Sequence, residues 1–140
     1  MKTEIHIKPI HYTKTWPIRH SVMWPNQSIE FIKLEKDAEG SHLGLFVGEH
    51  LTSIISLFQT QEGLQFRKFA TLTEAQGKGY GTQLLTEVFK RYSNGSVSRI
   101  WCNARVEKAK YYERFCLQRT NKTYRKGGIA FVVMEKLFCS

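Results

Sequence analysis

Six residues, Gln76-Gly77-Lys78-Gly79-Tyr80-Gly81, constrain this chain more than any others. Before them, Leu64 to Leu72 is an extended run with Phe and Thr and no Gly or Pro, which predicts a strand. After them, Leu84, Leu85, Val88, Phe89 and Tyr92 recur at helical spacing. The segment therefore predicts strand, tight glycine loop, helix. Glycines at three alternate positions clear three side chains from the loop, and each accepts positive φ at little cost. Backbone N–H groups gathered where a helix begins, with the dipole favouring an anion, form a phosphate cradle. The bland alternative is a turn that merely joins strand to helix.

Two familiar cradles do not fit. A P-loop needs Gly-x-x-x-x-Gly-Lys-Ser/Thr, but Gly77-Lys78 is followed by Gly79 and no Gly lies five positions before Gly77. The dinucleotide fingerprint Gly-x-Gly-x-x-Gly puts Thr82 or Leu84 where its third Gly belongs. A third pattern does fit. Gln76-x-x-Gly79-x-Gly81 resembles the acetyl-CoA signature of the GNAT N-acetyltransferase superfamily. Phe69-Ala70-Thr71 precedes it at the spacing of that family's strand. Downstream, Asn103-Ala104-Arg105 and Tyr111-Tyr112-Glu113 resemble the family's Asn-Ala-Arg … Phe-Tyr-Glu segment. Cys116-Leu117 stands where that family has Gly-Phe, a departure that suggests a different turn after the helix. In element order the resemblance runs from about Gly44 to Lys136.

The 140 residues predict one domain, 1–140, with enough length for a real core. The N-terminus has no apolar signal-peptide core and no run of 18 apolar residues occurs, so no membrane partner is expected. The three cysteines, Cys102, Cys116 and Cys139, are odd in number and widely spaced, which fits a reducing cytoplasm. No Cys-x-x-Cys or His-Glu-x-x-His occurs, so no metal is expected. The net charge of +9 is spread along the chain. It reads as a solvated surface that also suits an anionic co-substrate, ahead of a nucleic-acid partner.

In chain order, Glu4 to Pro9 alternates as a strand. Thr13 to Met23 reads as a helix with Pro17 in its first turn. Ser28 to Leu34 reads as a short strand, and Glu35 to Gly40 as a charged turn with solvated carboxylates. Leu43 to Val47 and Leu51 to Phe58 flank Gly48-Glu49-His50 as a hairpin. Asn94-Gly95 ends the central helix. Val97 to Asn103 is a strand with Ile100 and Cys102 on one face. Ala104 to Cys116 reads as a helix, and Arg119 to Tyr124 and Ile129 to Leu137 as the last strands. The fold class is α/β (α+β), three-layer. The resemblance adds a mixed, mostly antiparallel sheet whose splayed parallel pair holds the cofactor. The apolar C-terminus, Leu137-Phe138-Cys139, is either a homodimer contact or a last strand finishing in the core.

By resemblance, the activity is transfer of the acetyl group of acetyl-CoA to a primary amine, on a small molecule or a protein, by direct attack in a ternary complex. Phe69, Ala70 and Thr71 would pair with the pantetheine arm and polarise the thioester carbonyl. Gln76, Gly77, Lys78, Gly79, Tyr80, Gly81 and Thr82 would hold the pyrophosphate. Tyr112 would protonate the leaving thiolate, a phenol of pKa about 10 serving a thiol of about 8.5. Its alternative is a packing role on a helix face. Asn103 either contacts pantetheine or caps the following helix. Trp16, Arg19, His20, Met23 and Trp24 form an aromatic and basic cluster, read as one wall of the acceptor site, with Trp16, Arg19, His20 and Trp24 as its contacts, or as a core face with a polar rim. Where some relatives carry a glutamate base, this chain has Gln65, so bulk water, His20 or Glu74 would take the proton. A thiol role for Cys116 is not expected, since cysteine in a helix is commonly buried packing. The rival function is a non-catalytic module that binds CoA or acyl-CoA as a regulatory ligand.

Overall fold

The computed structural model describes residues 4–138. Seven strands make one sheet in the order β1-β2-β3-β4-β5-β7-β6. They are β1 (Ile5–Pro9), β2 (Ser41–Val47), β3 (His50–Thr60), β4 (Gly63–Thr71), β5 (Arg99–Arg105), β6 (Gln118–Lys126) and β7 (Ile129–Leu137). Every neighbouring pair is antiparallel except β4 and β5. A hairpin turn cannot join parallel strands, so the chain crosses over through a helix, α2 (Tyr80–Tyr92). This is the expected mixed sheet with one parallel pair and flanking helices.

The two faces of the sheet are built differently. On one face, Leu84, Leu85, Val88 and Phe89 of α2 pack on Leu43, Leu45, Ile55, Leu57, Leu64 and Phe66. The period of 3.6 on the helix meets the period of 2 on the strands, so each apolar set finds the other. Leu84, Leu85 and Val88 have no exposed surface.

The other face is covered by Tyr12–Met23, which is not the single helix expected. It is a 3-10 turn (Tyr12–Thr15), a short α1 (Trp16–Ile18) and a π turn (Arg19–Met23). Pro17 sits in the first turn of α1 as predicted. Only Ile18, Ile54 and Ala70 form the buried apolar cluster beneath it. Ile10, Val22, Leu51 and Leu72 pack against it partly buried, and Arg19, Asp37 and Ser56 add a buried polar network.

Three sequence expectations change. Ser28–Leu34 is not a strand, since Ile29–Ile32 is a 3-10 turn. Both edges of β2 are already taken by β1 and β3, and β1 is the outer strand. Ala104 and Arg105 belong to β5, paired with Val132 and Phe131. The helical turns therefore start only at Val106, and α3 proper is Ala109–Glu113. Asn103 is consequently a strand residue and caps no helix. At the C-terminus, Phe138 packs against the main core while Leu137 is exposed. Cys139 lies outside the described residues.

Candidate active site

β4 and β5 touch through only two register pairs, Leu64↔Ile100 and Gln65↔Trp101. Beyond them the parallel strands diverge, leaving Phe66–Thr71 with no partner on the β5 side. The resulting wedge opens toward the C-terminal ends of both strands, where the glycine loop begins. That is where open parallel sheets leave a crevice for a ligand.

A β-bulge shapes the inner wall of the wedge. β3 steps from Ser56 to Ile54 while β4 steps from Arg67 to Ala70. The extra residue is taken up near Lys68, whose φ is +55°, a left-handed conformation that a lysine rarely holds. Phe69 consequently packs on the α2 face and Ala70 on the opposite one. The main chain of Phe69–Thr71 pairs with β3 on one side and has no strand partner on the β5 side, toward the wedge.

The glycine loop has the properties of an anion cradle. Gly77 and Gly79 take φ of +81° and +83°, and a Cβ at either would meet nothing within 4 Å. Gly81 has a different reason to be glycine: its Cβ would lie 3.2 Å from Phe69 and 3.3 Å from Thr71 Oγ1. Its absence lets α2 sit close on β4. Among the described residues, the N–H groups of residues 77–82 have no protein acceptor, and the first helical bond runs from Gln83 N–H to the Gly79 carbonyl. Open N–H groups at the start of a 13-residue helix suit a phosphate-bearing group. Gln76 donates its side-chain amide to the Thr71 carbonyl at 3.0 Å. It thereby ties the loop to the end of β4 rather than pointing at a ligand.

Tyr112 stands at the wedge between both strands. Its ring lies 5.7 Å from Phe66 of β4 and 5.4 Å from Tyr111. Burial pushes its phenol well above the ordinary value, with Cys102 of β5 and Tyr111 adding to the rise. The hydroxyl makes no hydrogen bond among the described residues. Tyr111 instead reaches the loop side, its hydroxyl 3.1 Å from Thr82 Oγ1. The higher Tyr112 pKa changes the expectation of about 10: the proton is held more firmly than the simple phenol–thiol match implied.

Asn103 is exposed on β5, on the face away from Cys102. Gln65 lines a groove of about 800 Å³ with Leu34, Lys36, Phe58 and Arg67. Glu74 lines a separate hollow of about 290 Å³ with His50, Thr52, Lys78 and Tyr80. His20 Nε2 lies 2.6 Å from the Gln27 carbonyl.

The N-terminal cluster divides. Trp24 is exposed and packs edge-on against the exposed Phe31 at 5.2 Å. Arg19 cannot be an acceptor contact: it is fully buried in a two-pronged pair with Asp37, at 2.8 Å on each prong. Trp16 Nε1 also donates to Asp37, at 3.0 Å. The carboxylates of the Glu35–Gly40 turn are therefore not all solvated, as Asp37 is 2% exposed. Burial raises its carboxyl, but hydrogen bonds from Arg19, the Leu34 N–H and Trp16, with the Arg19 charge, outweigh that and hold it at about 2.

The network continues through Ser56 and His42, which no local pattern singles out. Arg19 donates to Ser56 Oγ at 2.9 Å and to the Ile32 carbonyl at 3.2 Å. Ser56 Oγ lies 2.8 Å from His42 Nδ1, and His42 Nε2 lies 2.8 Å from the Asp37 carbonyl. These contacts assign the ring proton to Nε2, donating to the carbonyl, with Nδ1 accepting from Ser56. Burial lowers the His42 pKa. Among the described residues, Arg19 Nε alone is buried without a partner.

The turn after α3 carries no glycine but has a glycine-like backbone. Cys116 takes φ +69°, a backbone suited to glycine, and Leu117 is buried. Cys116 is also exposed and follows the helix, rather than being packed within it. Cys102 is buried, which pushes its thiol up to about 12. Among the described residues no group of His, Cys, Asp and Glu gathers to hold a metal. No helix among them is long and apolar enough to cross a membrane.

Comparison with known proteins agrees with this architecture. The uncharacterised N-acetyltransferase YitI of Bacillus subtilis is 32% identical over 142 residues, covering 94% of this chain and 95% of YitI. A candidate N-acetyltransferase of Lactobacillus plantarum superposes with a TM-score of 0.82 at 18% identity, over 99% of this chain and 100% of the other. A GNAT family acetyltransferase of Elizabethkingia anophelis, with acetyl-CoA bound, superposes with a TM-score of 0.73 at 15% identity, over 96% and 98%. Residues 21–138 match the family described as Acetyltransferase (GNAT) domain. With its split parallel pair and glycine loop inside that match, the chain belongs to the GNAT acetyltransferase family and is an acyltransferase.

Proposed function

We propose that this protein moves the acetyl group of acetyl-CoA to a primary amine by direct attack within one ternary complex. One observation carries the reading. A single wedge has the open N–H groups of residues 77–82 at its mouth and the half-buried Tyr112 ring packed against Phe66 on its β4 wall.

The loop from Gln76 to Thr82 holds the pyrophosphate through main-chain N–H groups, with Lys78 adding charge. The β5-side edge of Phe69–Thr71 binds the pantetheine arm as an added strand would, and Asn103 faces it from β5. An N–H donor there stabilises the negative charge that develops on the carbonyl oxygen, an effect worth roughly 3–4 kcal/mol per donor. The acceptor nitrogen, neutral on arrival, forms the C–N bond as the C–S bond breaks. Tyr112 gives its proton to the departing sulfur. The proton released from the nitrogen returns to the phenolate or leaves through water. Gln65 cannot act as a base, so the acceptor loses its first proton to bulk water. Trp16, His20 and Trp24 lie toward the acceptor side, and Arg19 holds that segment in place.

The test is acceptor-dependent thiol release from acetyl-CoA with a panel of amines, alongside a melting curve with CoA. Heat protection by CoA together with amine-dependent thiol release supports transfer. Protection with no thiol release identifies a CoA-binding module. No protection removes the CoA site.

A further inference from the structure

The sheet face opposite α2 carries cations that acetyl transfer leaves without a role. Arg67 and Lys68 lie on β4 at the bulge, and Lys126 ends β6, two residues beyond Tyr124 and so on the same sheet face as it. Among the described residues none of the three makes an ion pair. Burial lowers the Lys68 ammonium, and Arg67, Arg19 and Lys126 lower it further, with Asp37 only partly opposing them.

Strand alternation settles which face this is. Leu64 and Phe66 lie under α2 while Ala70 lies under Tyr12–Met23, so Gln65 and Arg67 point away from α2. On β7, Val132 and Met134 face α2. Phe131 and its register partner Tyr124 therefore share the cationic face. Their rings stack at 5.1 Å with planes 12° apart, and Tyr124 is 41% exposed.

The nearby carboxylates do not neutralise the cluster. Asp37 is committed to Arg19, Glu135 to Arg99 and Glu107 to Arg105. Glu35 and Glu62 line the groove that includes Arg67, but neither forms an ion pair with it. Like charges held together without counter-ions repel, and an arriving anion relieves that repulsion. The CoA phosphates have their own cradle at the loop, on the α2 side. α2 and the Tyr111, Tyr112 and Phe115 side chains pack over that face, so an amine reaches the bulge from the cationic face.

Resting on the acetyl-CoA reading above, we infer that the acceptor carries an acid group, carboxylate or phosphate, close to its amine, and that Arg67, Lys68 and Lys126 hold it. The exposed Tyr124–Phe131 stack supplies an apolar ledge beside them.

Matched pairs test this. Thiol release would be measured with glycine against glycinamide, L-aspartate against L-asparagine, and phosphoethanolamine against ethanolamine. The melting point would be recorded with each compound alone. At least one acid should outrun its less charged partner by about tenfold or more in kcat/KM, the scale of one charge-assisted hydrogen bond. Which pair responds tells carboxylate from phosphate. The R67Q/K126Q variant, both of whose sites are exposed, should lose most of that ratio through KM and keep its kcat and its protection by CoA. If no acid outruns or outstabilises its partner, or if the ratio survives in R67Q/K126Q, the inference is overturned. If CoA gives no heat protection while an acid still stabilises wild type but not R67Q/K126Q, the acid site stands and the acetyl-CoA reading falls.

Discussion

The two faces of this sheet solve the same covering problem with opposite chemistry. Under α2 the contact is apolar throughout, with Leu45, Leu84, Leu85 and Val88 all at 0% exposure. Under Tyr12–Met23 the largest buried side chain is an arginine, held by Asp37, Ser56 and the Ile32 carbonyl. Apolar burial is non-directional, so it tolerates small shifts. A buried ion pair holds one geometry and loses its value when one partner goes. The face that fixes the glycine loop is thus robust, while Tyr12–Met23 is pinned at a few polar points.

The largest effect should come from unpinning that segment. R19M removes one partner and leaves Asp37 buried and uncompensated, which costs about 3–5 kcal/mol. For a chain of this length that lowers the melting point by roughly 10–20 °C. L85A, on the α2 face, should cost about 2–5 kcal/mol through its cavity. The contrast lies in pH: the L85A loss should be the same at pH 7 and pH 4, whereas the R19M loss should shrink toward low pH as Asp37 protonates. Equal pH dependence in the two variants would erase the distinction between the faces.

How much of this was readable beforehand follows the same division. The α2 face was legible because Leu84, Leu85, Val88 and Phe89 keep helical spacing and β4 precedes them as one extended run. The glycine loop was legible because its glycines have backbone reasons, two for left-handed φ and Gly81 for close approach. The other face was not. Arg19 and Asp37 are 18 residues apart, and nothing in local pattern says that they meet. Ser28–Leu34 alternates like a strand, but no sheet edge receives it. The Lys68 bulge leaves no trace in sequence either, since a lysine gives no signal of positive φ. Ala104–Arg105 read as helix because local propensity ignores the pairing with β7 that overrides it.

Next in size is the chemistry at the wedge. Y112F keeps the ring against Phe66 and removes only the proton. Turnover should fall by about 10² or more with acetyl-CoA affinity kept, measured by steady-state thiol release and by CoA binding. A packing role would instead show as intact turnover, and would remove Tyr112 from the proton step.

Acid should expose the polar face in wild type. His42 has a lowered folded pKa, so the unfolded chain binds its proton first. Stability therefore falls as pH drops below about 6.5 toward the folded value. Asp37 is lowered from 3.8 to about 2. Its contribution, about 2 kcal/mol, is complete above pH 4 and is lost between about pH 4 and pH 2. Denaturant midpoints from pH 7 to pH 2.5 should decline in both windows. H42Q should flatten the first window and leave the second, and an unaltered first window in H42Q would show that His42 is not its source.

The smallest effect separates the two left-handed residues that are not glycine. Cys116 and Lys68 have φ of +69° and +55°, a conformation that costs a side-chain-bearing residue about 1–2 kcal/mol. At Cys116 the side chain is exposed and makes no hydrogen bond among the described residues. C116G should therefore gain roughly 0.5–1 kcal/mol, the relieved strain less the added freedom of the unfolded chain. Activity should not change. At Lys68 the same relief is available, but the ammonium goes with it, so K68G should gain stability and lose acceptor affinity. If both substitutions prove equally silent in kinetics, the strain at β4 belongs to the fold alone and the bulge serves only to shape the wedge.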